Sequence, residues 1–159
     1  MRNICLIVLA LVGFSFTGNA QQIADNAIGL RLGGSDGYGA EISYQRAVSD
    51  NNRLEFDLGW RNGDNYDAIR AVGLYQWVFQ LDGNFNWYTG VGGGLASYSI
   101  ETEGRDDSDT SLLAAGNIGI EYDFDIPLLI SLDFRPEIGF GDINDDLDFD
   151  IALGIRYQF

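Results

Sequence analysis

The fold is decided by the last twelve residues, Asp148-Phe149-Asp150-Ile151-Ala152-Leu153-Gly154-Ile155-Arg156-Tyr157-Gln158-Phe159. Phe149, Ile151, Leu153, Ile155, Tyr157 and Phe159 occupy every second position, with Asp148, Asp150, Ala152, Gly154, Arg156 and Gln158 between them. Successive side chains of an extended chain point to opposite faces, so this stretch reads as a strand with one apolar face and one polar or small face. A helix would scatter the same apolar residues around its circumference.

The pattern recurs toward the N-terminus. Leu128, Ile130, Leu132, Phe134, Pro136, Ile138 and Phe140 alternate with Ser131, Asp133, Arg135, Glu137 and Gly139. Leu112 to Phe124 repeats it, with Asn117, Gly119, Glu121 and Asp123 on the polar face. Leu54, Phe56, Leu58 and Trp60 alternate with Glu55, Asp57, Gly59 and Arg61. Shorter blocks run from Ile28 to Gly33, around Arg31, and from Tyr38 to Gln45, around Glu41. In the block from Ala68 to Leu81, Arg70 and Gln76 place Ile69, Ala71, Gly73, Tyr75 and Trp77 on the opposite face. The run Gly92-Gly93-Gly94 blurs the phase of the next block and predicts a bulge or a close backbone approach. Eight strands are therefore expected over 28–34, 38–48, 53–62, 68–81, 85–100, 111–124, 128–140 and 148–159. Short turns at 49–52, 82–84 (with the Asp82-Gly83 hairpin signal) and 125–127 alternate with mostly longer, acidic connections at 35–37, 62–67, 101–110 and 141–147.

Composition narrows the chemistry. A chain of 159 residues supports one domain. It has no His, one Cys (Cys5) and no Lys; nine Arg stand against 24 acids, for a net charge of −15. Ser-His-Asp catalysis, Cys-His catalysis and His-ligated zinc are excluded. An acidic chain without a basic patch is unsuited to phosphate backbones, so no nucleic-acid partner is expected. Ser97, Ser99, Ser108 and Ser111 have no basic partner in the sequence; no catalytic residue and no cofactor are expected.

Residues 1–20 read as a cleaved secretory signal peptide. Arg2 supplies the positive start, Ile4 to Phe16 the apolar stretch, and Gly18-Asn19-Ala20 the small residues of a cleavage site before Gln21. Removing them leaves 139 residues with eight Arg, 24 acids and a charge of −16.

Two arrangements fit eight strands with charges in the middle of one face. A soluble sandwich or lipid-binding barrel packs the apolar faces inward; a membrane barrel turns them outward to lipid. Strands of roughly 9–14 residues suit a tilted bilayer crossing better than the usual 5–6 of globular proteins. Aromatics also collect at both strand ends: Trp77, Phe79, Phe85, Trp87, Tyr122, Phe124, Tyr157 and Phe159 at the short-turn end, and Tyr38, Trp60, Tyr98 and Phe140 at the other. That is the expected pair of interfacial girdles.

The leader, eight strands, turn-and-loop alternation and final Phe together resemble the small eight-stranded outer-membrane barrel family. The stretches Leu74-Tyr75-Gln76-Trp77-Val78-Phe79, Phe85-Asn86-Trp87-Tyr88-Thr89-Gly90 and Asp125-Ile126-Pro127-Leu128 are similar to barrels of Bacteroidetes-type bacteria. The resemblance implies an all-β, antiparallel, up-and-down transmembrane β-barrel over 21–159, in the bacterial outer membrane with both termini in the periplasm. It implies Tyr157 and Phe159 as an assembly signal read by the barrel-assembly machinery, membrane lipid as the surroundings, and a monomer. Pro136 departs from the pattern, since a closed barrel has no free edge; it predicts a bulge or a different strand boundary there.

An eight-stranded barrel is just wide enough for side chains to fill. The expected lumen network is Arg31, Glu41, Glu55, Asp57, Arg70, Glu121, Asp133, Arg135, Glu137, Asp150 and Arg156, centred on its four arginines. Arg pairs bidentately with carboxylates. The expected role is structural or surface-interacting and non-enzymatic; a narrow ion or small-solute channel is the alternative, and a soluble exported lipid-binding barrel the third. Asp142, Asn144, Asp146 and Asp148 have the spacing of a calcium loop but lack its Gly and Glu, where Leu147 and Leu153 stand. With Glu101, Glu103, Asp106, Asp107 and Asp109 they make an acidic, water-facing rim, and weak divalent-cation binding is the secondary reading.

Overall fold

The computed structural model describes residues 23–33, 39–63, 66–102, 105–140 and 147–159. The predicted leader therefore lies outside the described residues. Eight strands follow in order: β1 (Asn26–Gly33), β2 (Ala40–Ser49), β3 (Asn52–Gly63), β4 (Tyr66–Asp82), β5 (Phe85–Thr102), β6 (Arg105–Asp123), β7 (Leu128–Phe140) and β8 (Leu147–Gln158). Each pairs antiparallel with its sequence neighbour, and β1 pairs with β8 to close the barrel. Closure runs to the last residue: the Asn26 amide donates to the Phe159 carbonyl at 3.1 Å, and the Phe159 amide to the Asn26 carbonyl at 2.9 Å. Closure leaves no strand edge along the span in which all eight strands pair.

Polarity is reversed relative to a soluble domain. Among the described residues, ten hydrophobic residues are buried against eighteen polar or charged ones. Ile28, Phe56, Ile118, Leu132, Ile151 and Ile155 are instead exposed on the outside. The barrel interior is therefore charged, which contradicts the soluble lipid-binding alternative and the apolar interior it requires.

Strand lengths correct the expected loops. Residues 62–67 and 101–110 were expected as connections, yet β3 and β4 pair up to Gly63↔Tyr66, and β5 and β6 up to Thr102↔Arg105. The hydrophobic alternation fades there while backbone pairing continues. Alternation reports what each face of a strand meets, whereas ladder hydrogen bonds need only two extended chains in register. A tall wall of 17, 18 and 19 residues in β4, β5 and β6 results, beside 8 residues in β1 and 10 in β2.

Of the two expected irregularities, the glycine run takes the second of its two forms and Pro136 takes neither. At Gly92 to Gly94 the β4–β5 register is unbroken, so no bulge forms; the glycines permit close approach instead. A Cβ at Gly92 would collide with the Gly73 carbonyl oxygen, and one at Gly94 with that of Ala71. Pro136 lies within β7, opposite Phe149 of β8, with neither a bulge nor a strand end. The β6–β7 ladder skips the rungs between Ala115↔Glu137 and Ile118↔Phe134 and resumes in the same register. The missing proline N–H is thus accommodated by an interrupted ladder, beside Gly116, whose Cβ would sit 3.8 Å from the proline ring.

Candidate functional site

The interior is built by size complementarity. Register places Gly90, Gly92, Gly94 and Ala96 of β5 on the face of Gln76, Leu74, Val72 and Arg70 of β4. Ala115, Asn117 and Gly119 of β6 continue that inner face. These residues are small, and the opposite walls send long side chains into the space. All eleven residues of the expected network are buried, from Arg135 at 0% exposure to Glu137 at 6%. Each takes part in an ion pair.

Glu41 is the hub, accepting from Arg31 at 3.1 Å, Arg70 at 2.5 Å and Arg135 at 2.8 Å. Arg135 on β7 also reaches Asp57 on β3 at 2.9 Å, a pair four strands apart in either direction and so straight across the barrel. Its Nε lies 2.7 Å from Glu137. Arg31 holds Asp133 at 2.6 Å and Asp150 at 2.5 Å. Toward the short-turn end, Arg156 donates to Glu55 at 3.0 Å, to Ser43 at 3.0 Å and to Ser131 at 2.8 Å. Among the described residues, seven acids and five arginines are buried. That excess of acceptors accords with Asp57 Oδ1 and Asp150 Oδ1, which have no hydrogen-bond partner among the described residues.

Sequence reasoning missed one cation. Arg53 is buried, donates to Gln76 at 2.6 Å and Glu121 at 2.8 Å, and lies 4.8 Å from the centre of the Tyr88 ring. The signal was present, because Arg53 stands two residues before Glu55 and shares its phase. Tyr88 was harder to find, since an aromatic in a girdle-rich strand reads as lipid-facing. It is 0% exposed and packs against Gly119, where a Cβ would stand 2.6 Å from its Cζ. Gly119→Ala is therefore expected to overpack the lumen and destabilise the barrel by about 1–3 kcal/mol. A lower urea midpoint would show it; an unchanged midpoint would mean that the ring moves aside freely.

Other expected residues fall elsewhere. Asp142, Asn144 and Asp146 lie outside the described residues, and Asp148 is exposed on β8 opposite Glu137. Among the described residues no group of three or more His, Cys, Asp or Glu is placed to hold a metal ion. Tyr157 and Phe159 are exposed on the outer face with rings stacked at 6.3 Å. The nearby pairs Phe79–Trp87, Phe85–Tyr122 and Tyr122–Phe124, at 4.5, 4.7 and 4.6 Å, continue an aromatic ring around the short-turn end. A cavity of about 10 Å3 beside Gln45, Arg53, Asn86 and Glu121 offers room for about one water.

No family model matches the chain, and no curated protein matches it. Solved structures do. Neisserial surface protein A aligns at 14% identity and a TM-score of 0.63, over 84% of this chain and 94% of its own. The N-terminal β-barrel domain of Pseudomonas aeruginosa OprF aligns at 12% and 0.65, over 84% and 95%. Ail, the attachment invasion locus protein of Yersinia pestis, aligns at 17% and 0.60, over 84% and 96%. At these identities the likeness is one of fold, and the chain has the fold of the small eight-stranded outer-membrane β-barrels.

Proposed function

We propose that this chain is a non-enzymatic barrel of the bacterial outer membrane, with an ion-paired interior that serves as its structural core and a long-strand rim that serves surface interaction. One observation carries the reading: charges are buried and large apolar side chains are exposed around the wall. In water that arrangement would expose an apolar belt far larger than soluble monomers tolerate. In a bilayer it satisfies both faces, because a closed barrel pairs its strands with one another instead of presenting an open sheet edge to hydrocarbon. Outer-membrane lipid is then the chain's main partner, and a monomer suffices because the barrel closes within one chain.

The channel reading requires a continuous aqueous path. Arg135–Asp57 and Arg53–Glu121 stand across that path at separate levels. Ail has also been solved with sucrose octasulfate, a heparin analogue. With 24 acids against nine Arg, this chain is poorly suited to such a polyanion, so a partner for its rim would be neutral or basic.

Membrane fractionation followed by electrophoresis with and without boiling tests the proposal. A membrane-bound compact band that shifts on heating is the expected result; recovery as a soluble periplasmic protein would defeat it. The assembly role of Tyr157 and Phe159 has a separate readout. Phe159→Asp should lower the yield of heat-shifting barrel in cells, whereas wild-type yield would remove the terminal Phe from the signal.

A further inference from the structure

The outer wall carries a groove of about 350 Å3 lined by Trp87, Ile118, Ile120, Leu132, Phe134 and Ile151, with Gly119 and Asp133 between the two rows. Register explains its shape. Ile118 pairs with Phe134 and Phe134 with Ile151, forming one row; Trp87 pairs with Ile120 and Ile120 with Leu132, forming the other. Between the rows lies the rung Gly119↔Asp133, where glycine has no side chain and the aspartate turns inward to Arg31. Stacking holds the walls: Trp87 lies on Phe79 at 4.5 Å and 19°, and Phe134 on Phe149 at 5.5 Å and 17°. The groove crosses β5 to β8 at right angles to the strands. With strands tilted by about 35–45°, it runs obliquely through the apolar belt.

We propose that this groove seats one acyl chain of a membrane lipid and retains it longer than the surrounding lipid. The proposal rests on the membrane reading above, which places this wall in hydrocarbon. Width and area select the occupant. A stable protein interface uses roughly 20–30 residues a side, whereas this cleft is one rung wide and offers eight. A single flexible hydrocarbon chain fits a narrow apolar slot with fixed aromatic walls, and a pre-formed slot reduces the ordering that binding requires.

The test uses the mature chain reconstituted in phosphatidylethanolamine vesicles, re-extracted in detergent and examined by native mass spectrometry. One retained lipid is expected on the wild type. Leu132→Trp, which fills the slot, should lose it while keeping the heat shift of the folded barrel. A second readout leaves the groove intact. In a Trp60→Phe, Trp77→Phe background, Trp87 fluorescence should be quenched by acyl-brominated phosphatidylethanolamine, and the quenching should persist after dilution into unbrominated vesicles. An inserted barrel that retains no lipid, equal retention by Leu132→Trp, a mass of two chains, or quenching lost at once on dilution would each overturn the acyl-chain site and leave the membrane reading standing. A wild-type chain that neither inserts nor shifts on heating would instead overturn the membrane reading, and the site with it.

Discussion

Arg135→Met should destabilise the vesicle-inserted barrel by about 3–5 kcal/mol, the usual effect of removing one partner from a buried ion pair. The arginine is 0% exposed and reaches Glu41, Asp57 and Glu137, which come from three different strands. Methionine fills much of the volume but neutralises nothing, so three carboxylates lose a shared cation in an interior already richer in acids than in arginines. Urea unfolding followed by Trp fluorescence measures the loss. Adding Glu41→Gln should recover part of it, because the two groups are in direct contact and their effects are not additive. A loss below about 1 kcal/mol for Arg135→Met would mean that the pairs are solvated and that the lumen is not a packed core.

The second large effect lies on the opposite face. Leu153 is 42% exposed in the middle of the outward row of β8, between Leu32 and Leu132 on the flanking strands. Leu153→Arg should destabilise the barrel in a bilayer by about 2–4 kcal/mol, as charges do on the lipid face near the midplane. The same change on a water-facing wall would stay within about ±0.5 kcal/mol. Urea titrations in vesicles separate the two values, and tolerance of the arginine would place this wall outside the hydrocarbon. Together the two variants probe each side of one strand pattern.

That pattern is why so much of the molecule was legible in the sequence. Where a strand carries apolar side chains on its outer face and charge on its inner one, as in Phe149–Phe159, alternation reports its facing. Arg31, Glu41, Arg135 and Arg156 could therefore be grouped without coordinates. The signal failed where the contrast failed. Residues 101–110 are rich in acids and carry no alternating apolar side chains, so the continuation of β5 and β6 left no periodic trace. Val72 and Leu74, which form an apolar patch with Ala115 inside the lumen, were placed on the inner face only by the phase of Arg70 and Gln76 in the same strand. Arg53 was overlooked at the margin of a block read from Leu54 onward. The partners of each charge were also out of reach: Arg135 and Asp57 are 78 residues apart, and only the closure of β1 on β8 brings them face to face.

The tall side of the wall has a consequence for what it can offer a partner. At about 3.3 Å per residue and a tilt near 40°, the 17 to 19 residues of β4 to β6 rise about 45 Å along the barrel axis. An outer-membrane apolar band is about 25 Å tall, so on the membrane reading proposed above roughly 20 Å of this wall stands clear of hydrocarbon. Up to Gly63↔Tyr66 and Thr102↔Arg105 that height is held by paired backbone. A surface held by ladder hydrogen bonds is ordered before any partner arrives, and binding to it requires little further ordering.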